Sequence, residues 1–301
     1  MKLMKGIAII LALIILFLFV YVKIQLSKAE DRLKRTYDLG TNLIPFPSDS
    51  ASMARGKHLA QVLCTDCHGY KFEGKLFLNE PDLALVAAGN LTSGKGGIGA
   101  EYTDQDWIRS VRRGVGRNGL PLFLMPSKNF ANLCDSDFGS LIAYLKSIAP
   151  VDKAHPAPVY TTFGKFLLGT GAFGEEIISA ELVEHNKDPE PCKELDSDEE
   201  LGKYLVNIGG CKSCHGAELN GSTSPDPNAP FASNLTGAGN LGNWDLQDFI
   251  RTMRSGVTPE GKSLNNKYMP WKAVANFDDY ELKGLHSYLL SVEELPEPQH
   301  D

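Results

Sequence analysis

Two five-residue stretches decide the organisation of this chain: Cys64-Thr65-Asp66-Cys67-His68 and Cys211-Lys212-Ser213-Cys214-His215. Both follow the pattern C-x-x-C-H, and their first cysteines, at positions 64 and 211, lie 147 residues apart. Cysteine and histidine are both scarce among the 301 residues, at 6 and 7 copies, so chance rarely produces this pattern even once. The pair therefore predicts one site chemistry that occurs twice.

The spacing within the motif is the signature of covalent c-type haem attachment. Two thiols three residues apart add to one porphyrin, and the adjacent histidine lies under the iron as proximal ligand. Two alternatives use the same residue types, a zinc ribbon and a thioredoxin-like redox pair. A zinc site needs four ligands, whereas here each histidine directly follows its second cysteine, which favours haem. The sequence thus predicts two covalently bound haem c groups, held by Cys64, Cys67 and His68 and by Cys211, Cys214 and His215.

Further matches at nearly the same offset extend the repeat well beyond the motif. They pair Gly56-Lys57 with Gly202-Lys203, Asn90-Leu91-Thr92 with Asn234-Leu235-Thr236, and Met125-Pro126 with Met269-Pro270. Self-similarity of this kind predicts a tandem duplication of one domain of about 100 residues.

Each copy is predicted to be mainly α-helical. One helix precedes the motif, and a second begins at a capping-box-like signal, at Thr103 in the first copy and Asp245 in the second. The last helix carries apolar residues at i, i+3, i+4 and i+7, from Phe138 to Leu145. The chain between motif and second helix is rich in Gly and Asn and is predicted to be loop.

Methionine supplies the predicted second axial ligand of each haem. Met125 and Met269 occupy the same repeat position, 61 and 58 residues after the first cysteine of each motif, and a proline stiffens the loop after each. Met253 is a weaker candidate because Val111 stands at its position in the first copy. His/Met ligation leaves no open coordination position, which favours electron transfer over catalysis and predicts no catalytic residue.

The remaining polar candidates receive other interpretations. His58 and His286 align with Tyr204 and Ile142 and are predicted to be packing or helix-surface residues, and three further histidines are predicted to be solvated: His155, His185 and His300. Arg109 and Arg251 either pair with haem propionates or lie on an exposed helix face. Cys134 and Cys192 either form a disulfide or remain free thiols.

The amino terminus contains an uninterrupted apolar run from Gly6 to Val22. Its 17 residues span roughly 25 Å as a helix, and no A-x-A-like cleavage site follows. We predict an uncleaved membrane anchor; a cleaved signal peptide and a buried core helix are the alternatives. The predicted divisions are an anchor (1–24), a tether (25–50), domain 1 (51–150), a linker (151–195), domain 2 (196–295) and a tail (296–301).

Composition and charge exclude several classes of function. The net charge is −7, so a nucleic-acid partner is not expected. Residues 169–174 fit G-x-G-x-x-G but lack the βαβ context of nucleotide binding.

The basic residues beside the anchor bear on its orientation. Five basic residues within 23–35, against two before the anchor, would by themselves put the globular part in the cytoplasm.

The chain from about 53 to 293 resembles the tandem class I cytochrome c family. The run Asp106-Trp107-Ile108-Arg109, Gly114-Val115, Leu124-Met125-Pro126 and Ala143-Tyr144-Leu145 is similar to the cytochrome subunits of membrane-bound alcohol, aldehyde and gluconate dehydrogenases. The resemblance implies haem attachment outside the cytoplasmic membrane. It therefore favours a single-pass protein with its haem domains on the periplasmic or external side.

Two functions are weighed on these grounds. The first is a membrane-anchored di-haem electron carrier between a donor (a dehydrogenase or quinone-linked complex) and an acceptor (a terminal oxidase or soluble cytochrome). The second is an enzyme at a haem, such as a di-haem peroxidase or a thiosulfate-oxidising cytochrome. A purely structural haem subunit is a third possibility. The paired Met-Pro sites favour the electron carrier.

Overall fold

The computed structural model describes residues 2–40, 43–186, 192 and 195–298. Helices dominate it, as predicted. They are α1 (Lys2–Lys34), α2 (Ser50–Leu63), α3 (Thr65–His68), α4 (Asp104–Arg113), α5 (Ser127–Phe130), α6 (Asp135–Ser147), α7 (Thr162–Thr170), α8 (Asp198–Gly209), α9 (Lys212–His215), α10 (Leu246–Ser255), α11 (Trp271–Val274) and α12 (Asp279–Ser291). Glu176–Glu181 and Asn240–Asn243 are 3-10 turns. One antiparallel sheet contains β1 (Lys75–Glu80), β2 (Ala84–Ala88) and β3 (Val159–Tyr160) in that order.

The repeat in the sequence is a repeat in the structure. Helices α2 to α6 recur as α8 to α12, with the C-x-x-C-H histidine at the end of α3 and of α9. In each copy the first helix crosses the last at a glycine. A Cβ on Gly56 would lie 2.0 Å from the Ser140 carbonyl oxygen, and one on Gly202 would lie 2.0 Å from that of Gly284. The close crossing therefore explains the matched glycines.

The predicted helix starts are confirmed. Thr103 and Asp245 each cap their helix in a reciprocal capping box with the aspartate three residues on. The predicted apolar faces are also buried. Phe138 and Ile142 of α6 and Leu282 of α12 are fully inaccessible to solvent.

The chain after the first motif differs from the prediction of a loop. Residues 75–88 form the hairpin of β1 and β2, and β3 from the predicted linker adds a third strand. The second copy has only an isolated bridge there, between Ser222 and Ala232. Local composition does not show that β2 pairs with a segment about 75 residues further along the chain.

Helix α1 extends past the predicted anchor. It continues to Lys34, ten residues into the stretch interpreted as a tether. The rest of the chain does not bury the most apolar 18-residue window of α1, which has a mean hydropathy of 3.0. The helix is long and apolar enough to cross a membrane. The part beyond the apolar run is docked, with Gln25 and Ala29 buried. The tether is thus partly a rigid helix.

The predicted linker supplies the dock for α1. Helix α7 packs along α1, and Leu168 joins a small core with Ala29, Val115, Ile178 and Ala180. The middle of the linker therefore packs on α1 as well as on domain 1. Residues 169–174 form the end of α7 and a turn, with Gly171 as a left-handed C-cap.

A disulfide joins Cys134 to Cys192 and resolves the alternative left open by the sequence. Cys134 stands directly before α6, and Cys192 lies in the linker, 58 residues on. The bridge ties the linker to domain 1.

The two domains share one continuous core and a nearly two-fold interface of polar contacts. His58 Nε2 lies 2.6 Å from Glu281, and the matched Tyr204 donates its hydroxyl to Asp137 at 2.8 Å. Arg55 bridges the two acids, at 2.7 Å from Asp137 and 2.9 Å from Glu281. The predicted packing interpretation of His58 is therefore confirmed, and its partner lies in the other domain.

Candidate haem sites

The first site is built around His68, at the end of α3. Its Nδ1 lies 2.8 Å from the backbone carbonyl oxygen of Gly89, so Nδ1 carries the proton and donates. That bond leaves Nε2 deprotonated and available as a ligand. Burial lowers the pKa of His68, an effect that the Gly89 bond opposes. The ring is therefore held in the neutral form that binds iron.

Cys64, Cys67, His68 and Met125 line one cavity of about 130 Å³, partly open to solvent. The remaining wall is almost wholly apolar and is made by Leu63, Phe77, Val86, Ala87, Ala88, Gly89, Leu122, Phe123, Leu124, Pro126 and Phe130. The structure thus places two thiols, an imidazole and a thioether around one apolar space, which is the donor set of a His/Met haem c.

The second site repeats the first. His215 is 9% exposed, and its Nδ1 donates to the carbonyl oxygen of Ser233 at 2.7 Å. Burial lowers the pKa of His215. Met269 is partly buried against the core of the second domain, in the loop before α11. Each of the two copies therefore orients its imidazole through a backbone carbonyl about twenty residues downstream.

The four motif cysteines are unpaired with one another. Burial raises the pKa of Cys64 to about 12 and that of Cys211 to about 11. Burial, with the nearby Asp66 charge, raises the pKa of Cys67 to about 11. These three thiols are therefore protonated at neutral pH.

The sequence motifs did not identify the carbonyl partners, but the matched Asn-Leu-Thr runs are the signal that leads to them. Asn90 accepts from the backbone and hydroxyl of Thr92, and it donates to the Val151 carbonyl oxygen at 2.7 Å. Asn234 bonds Thr236 and the Leu295 carbonyl oxygen in the same way. Each asparagine clamps the loop that carries the histidine-binding carbonyl to the end of its own domain.

A strained backbone position recurs in both sites. Phe72 and Leu219 each follow the first cysteine by eight residues and have a positive φ, 57° and 61°. Their carbonyls accept from the residue after the clamping asparagine, Leu91 and Leu235. The matched strain is a further device that positions the loop against the histidine.

Other predicted site residues lie elsewhere. Arg109 and Arg251 each pair with the capping aspartate three residues before, at Asp106 and Asp248. Arg251 lies exposed on its helix and Arg109 is half-buried, and pairing with haem propionates stays a prediction for both. Trp107, which lies between Asp106 and Arg109, is buried.

Two histidines differ from the prediction that they are solvated. His155 Nε2 donates to the Glu73 carbonyl oxygen at 2.9 Å, and His185 Nε2 donates to the Ala180 carbonyl oxygen while its ring packs on Tyr37. Both hold the linker in place, which local sequence could not show. His300 lies outside the described residues.

Comparison with known proteins agrees with this geometry. The profile of the cytochrome c family matches the chain twice, at residues 53–149 and 199–293. The chain belongs to the cytochrome c family. Each match contains one C-x-x-C-H motif and one Met-Pro loop. In this cytochrome, a covalently bound haem c is the cofactor that the donor set fits.

Three curated relatives are similar over most of this cytochrome. The gluconate 2-dehydrogenase cytochrome c subunit of Pantoea cypripedii is 30% identical over 281 residues, covering 81% of this chain and 60% of the relative. The alcohol dehydrogenase (quinone) cytochrome c subunit of Gluconobacter oxydans (strain 621H) is 24% identical, covering 83% and 56%. The fructose dehydrogenase cytochrome subunit of Gluconobacter japonicus is 25% identical, covering 84% and 55%. The chain thus spans less than two thirds of the length of these relatives.

Proposed function

We propose that this chain is a membrane-anchored di-haem electron carrier, and that residues 51–150 and 196–295 each hold one haem c. Cys64, Cys67, His68 and Met125 would hold the first haem, and Cys211, Cys214, His215 and Met269 the second. Haem c, when bound, supplies one-electron oxidation and reduction. The observation that best supports the proposal is the hydrogen bond of each motif histidine. Its Nδ1 donates to a backbone carbonyl oxygen, of Gly89 or Ser233, which leaves Nε2 available to bind iron.

The residues of each site have distinct tasks in this proposal. The cysteines would hold the haem covalently, the histidine and methionine would bind its iron, and in the first site the apolar wall would limit contact with water. With a histidine and a methionine both bound to iron, no place for a substrate would remain there, which favours electron transfer between proteins. An apolar pocket also favours fast electron transfer, because little solvent has to reorganise when the electron moves.

The partners follow from the relatives, which are cytochrome subunits of dehydrogenases. We propose a dehydrogenase or quinone-linked complex as the donor and an oxidase or soluble cytochrome as the acceptor. Helix α1 anchors the chain in the cytoplasmic membrane, with the haem domains on the periplasmic or external side. The length and apolarity of α1, and the docking of its carboxyl-terminal part against the globular chain, support a retained anchor.

The full-length protein, purified in detergent, tests the proposal. Haem content should be two per chain, and an optical redox titration should show two low-spin haems with the far-red methionine–iron band. M125L and M269L keep side-chain volume but remove the ligand, so each should abolish about half of that band and lower one potential.

M53L is the matched control, since Met53 precedes the first motif, and its band should equal that of the parent. One haem per chain, or a band that survives both ligand substitutions, would overturn the ligand assignment. A high-spin haem with peroxide turnover would favour the haem enzyme instead.

A further inference from the structure

Helix α7 crosses α1 where the apolar run of α1 ends. The rings of Tyr21 and Phe166 meet edge to face, 6.1 Å apart. Next along α1, the backbone of Gln25 presses on Gly169 so closely that a Cβ there would lie 1.9 Å from the Gln25 carbonyl oxygen. Tyr21 is the second-last residue of the run from Gly6 to Val22. Phe166 therefore lies at the level where the anchor leaves the bilayer.

The crossing is held on its far side by charged groups. Arg32 contacts Glu181 through two nitrogens, at 3.0 and 2.8 Å from one carboxylate oxygen, and donates to the Leu168 carbonyl oxygen at 2.9 Å. Lys165 pairs with Glu30, and this bond and the one from Lys34 lower the pKa of Glu30 to about 2. Because these contacts join α7 to residues 30 and 32, the charged side of α7 lies away from the membrane end of α1.

The other side of α7 is apolar: Phe166 on it contacts Tyr21 of α1, and Phe163 is exposed. Phe163, Phe166 and Leu167 follow one another at i, i+3 and i+4 and share a face. Phe163 is 54% exposed, although it is one of the largest apolar side chains in the segment. The opposite face is occupied, because Leu168 is buried and Gly164 packs against the Leu83 carbonyl.

We propose that Phe163, Phe166 and Leu167 form a membrane-interface patch that lies in the lipid headgroup region beside α1. The inference rests on the proposed retention of α1 as an anchor. Aromatic side chains concentrate at the two membrane–water interfaces, and short apolar helix faces bury themselves at the headgroup boundary. The continuity of the patch with the anchor through the Tyr21–Phe166 contact identifies lipid, rather than a protein partner, as its occupant.

The patch would give the cytochrome a second point of attachment to the bilayer. Helix α7 is tied to domain 1, since the Thr161 hydroxyl donates to the carbonyl oxygens of Asp82 and Leu83 at the turn between β1 and β2. In the same region Tyr160 packs on Phe123, a residue of the first haem cavity, at 5.2 Å. A spanning helix alone permits rotation and tilt, whereas two points fix the first haem site at one height and orientation above the membrane.

Site-directed spin labelling of the full-length holoprotein tests the proposal. The motif cysteines are consumed by haem, and Cys134 and Cys192 are joined, so a single introduced cysteine is the sole free thiol. F163C carries the label, and Y280C on α12 is the matched control because Tyr280 is 58% exposed. The protein is placed in vesicles of phosphatidylcholine and phosphatidylglycerol, and the collision rates of each label with oxygen and with a water-soluble nickel chelate are compared.

We expect the oxygen-to-nickel ratio at position 163 to be several-fold above that at position 280, which should read as aqueous. Equal aqueous ratios at both positions, in protein that floats with the vesicles, would overturn the patch and leave the anchor intact. Protein that does not float with the vesicles would refute the anchor itself, and with it the patch. Pyridine haemochrome spectra of both variants confirm that each carries its full haem content.

Discussion

Replacing Gly56 by alanine should test whether the first domain depends on the close crossing of α2 and α6. The added Cβ would lie 2.0 Å from the Ser140 carbonyl oxygen and 2.9 Å from Tyr144 Cβ. Ordinary van der Waals contact for such an atom begins at 3.4 Å, so the helices would have to separate by about 1.4 Å. The obstacle is backbone, which cannot rotate away as a side chain would.

The cost of that separation follows from the packing at the crossing. Leu59 and Ile142 are fully buried there, and a radial gap of about 0.5–1 Å already removes a quarter to a half of the dispersion energy of each contact. Overpacking of a core costs typically 1–3 kcal/mol, and we expect the upper part, about 2–3 kcal/mol. Because the two domains share one core and should unfold together, Tm should fall by about 4–12 °C.

Thermal unfolding of the detergent-purified holoprotein, followed by circular dichroism at the helix band, measures this shift. G40A is the control, since a Cβ on the exposed Gly40 meets nothing within 4 Å, and its Tm should stay at the parent value. G202A should behave like G56A, because its Cβ would lie 2.0 Å from the Gly284 carbonyl oxygen. If G56A melted within a degree of G40A, the argument from helix proximity would be refuted.

Three further predictions concern the clamp, the disulfide and the domain interface. N90A should lower the free energy of unfolding by about 1–3 kcal/mol, because buried polar partners lose their bonds; an unchanged denaturation midpoint would argue against the clamp. Replacing Cys134 and Cys192 together by Ser opens a closed loop spanning 58 residues and should cost about 2–4 kcal/mol in the same assay; equal stability with and without the bridge would contradict this. Burial raises the pKa of Glu281, but hydrogen bonds across the interface outweigh it and hold the pKa below the ordinary 4.5. The ionised Glu281 therefore stabilises the folded state fully above about pH 4.5, and this contribution to the free energy of unfolding is lost as the pH falls further. E281Q should flatten the acid side of the stability–pH curve, and a curve as steep as the parent's would be inconsistent with this role.

Local patterns predicted much of the helical framework. The capping boxes at Thr103 and Asp245 and the apolar spacing from Phe138 to Leu145 are determined within one or two turns of helix, so sequence alone locates them. The third strand and the dock for α1 were missed. Both join segments that are about 70 or more residues apart, such as Ala84 with Tyr160 and Arg32 with Glu181, and no local periodicity records such pairings.

The candidate sites show the same division. The C-x-x-C-H and Met-Pro motifs can be recognised in the sequence because haem attachment and ligation require particular side chains at fixed spacing. The orienting acceptors of His68 and His215 are backbone carbonyls, and every residue has one. Only the path of the chain selects Gly89 and Ser233 for this task. The matched Asn-Leu-Thr runs identified the two loops as a repeated feature, but they did not show that these loops carry the carbonyl that binds the histidine.

The sequence by itself determined the duplication, the helical class, the apolar amino-terminal helix and the residues proposed to hold haem, because each rests on side-chain chemistry at short range. The tertiary structure decided which cysteines pair, that His58 reaches across to Glu281, and that α1 continues into a dock on α7. Those outcomes depend on which distant surfaces meet when apolar area is buried. That choice is made by the summed packing of the whole chain, which no single stretch of sequence contains.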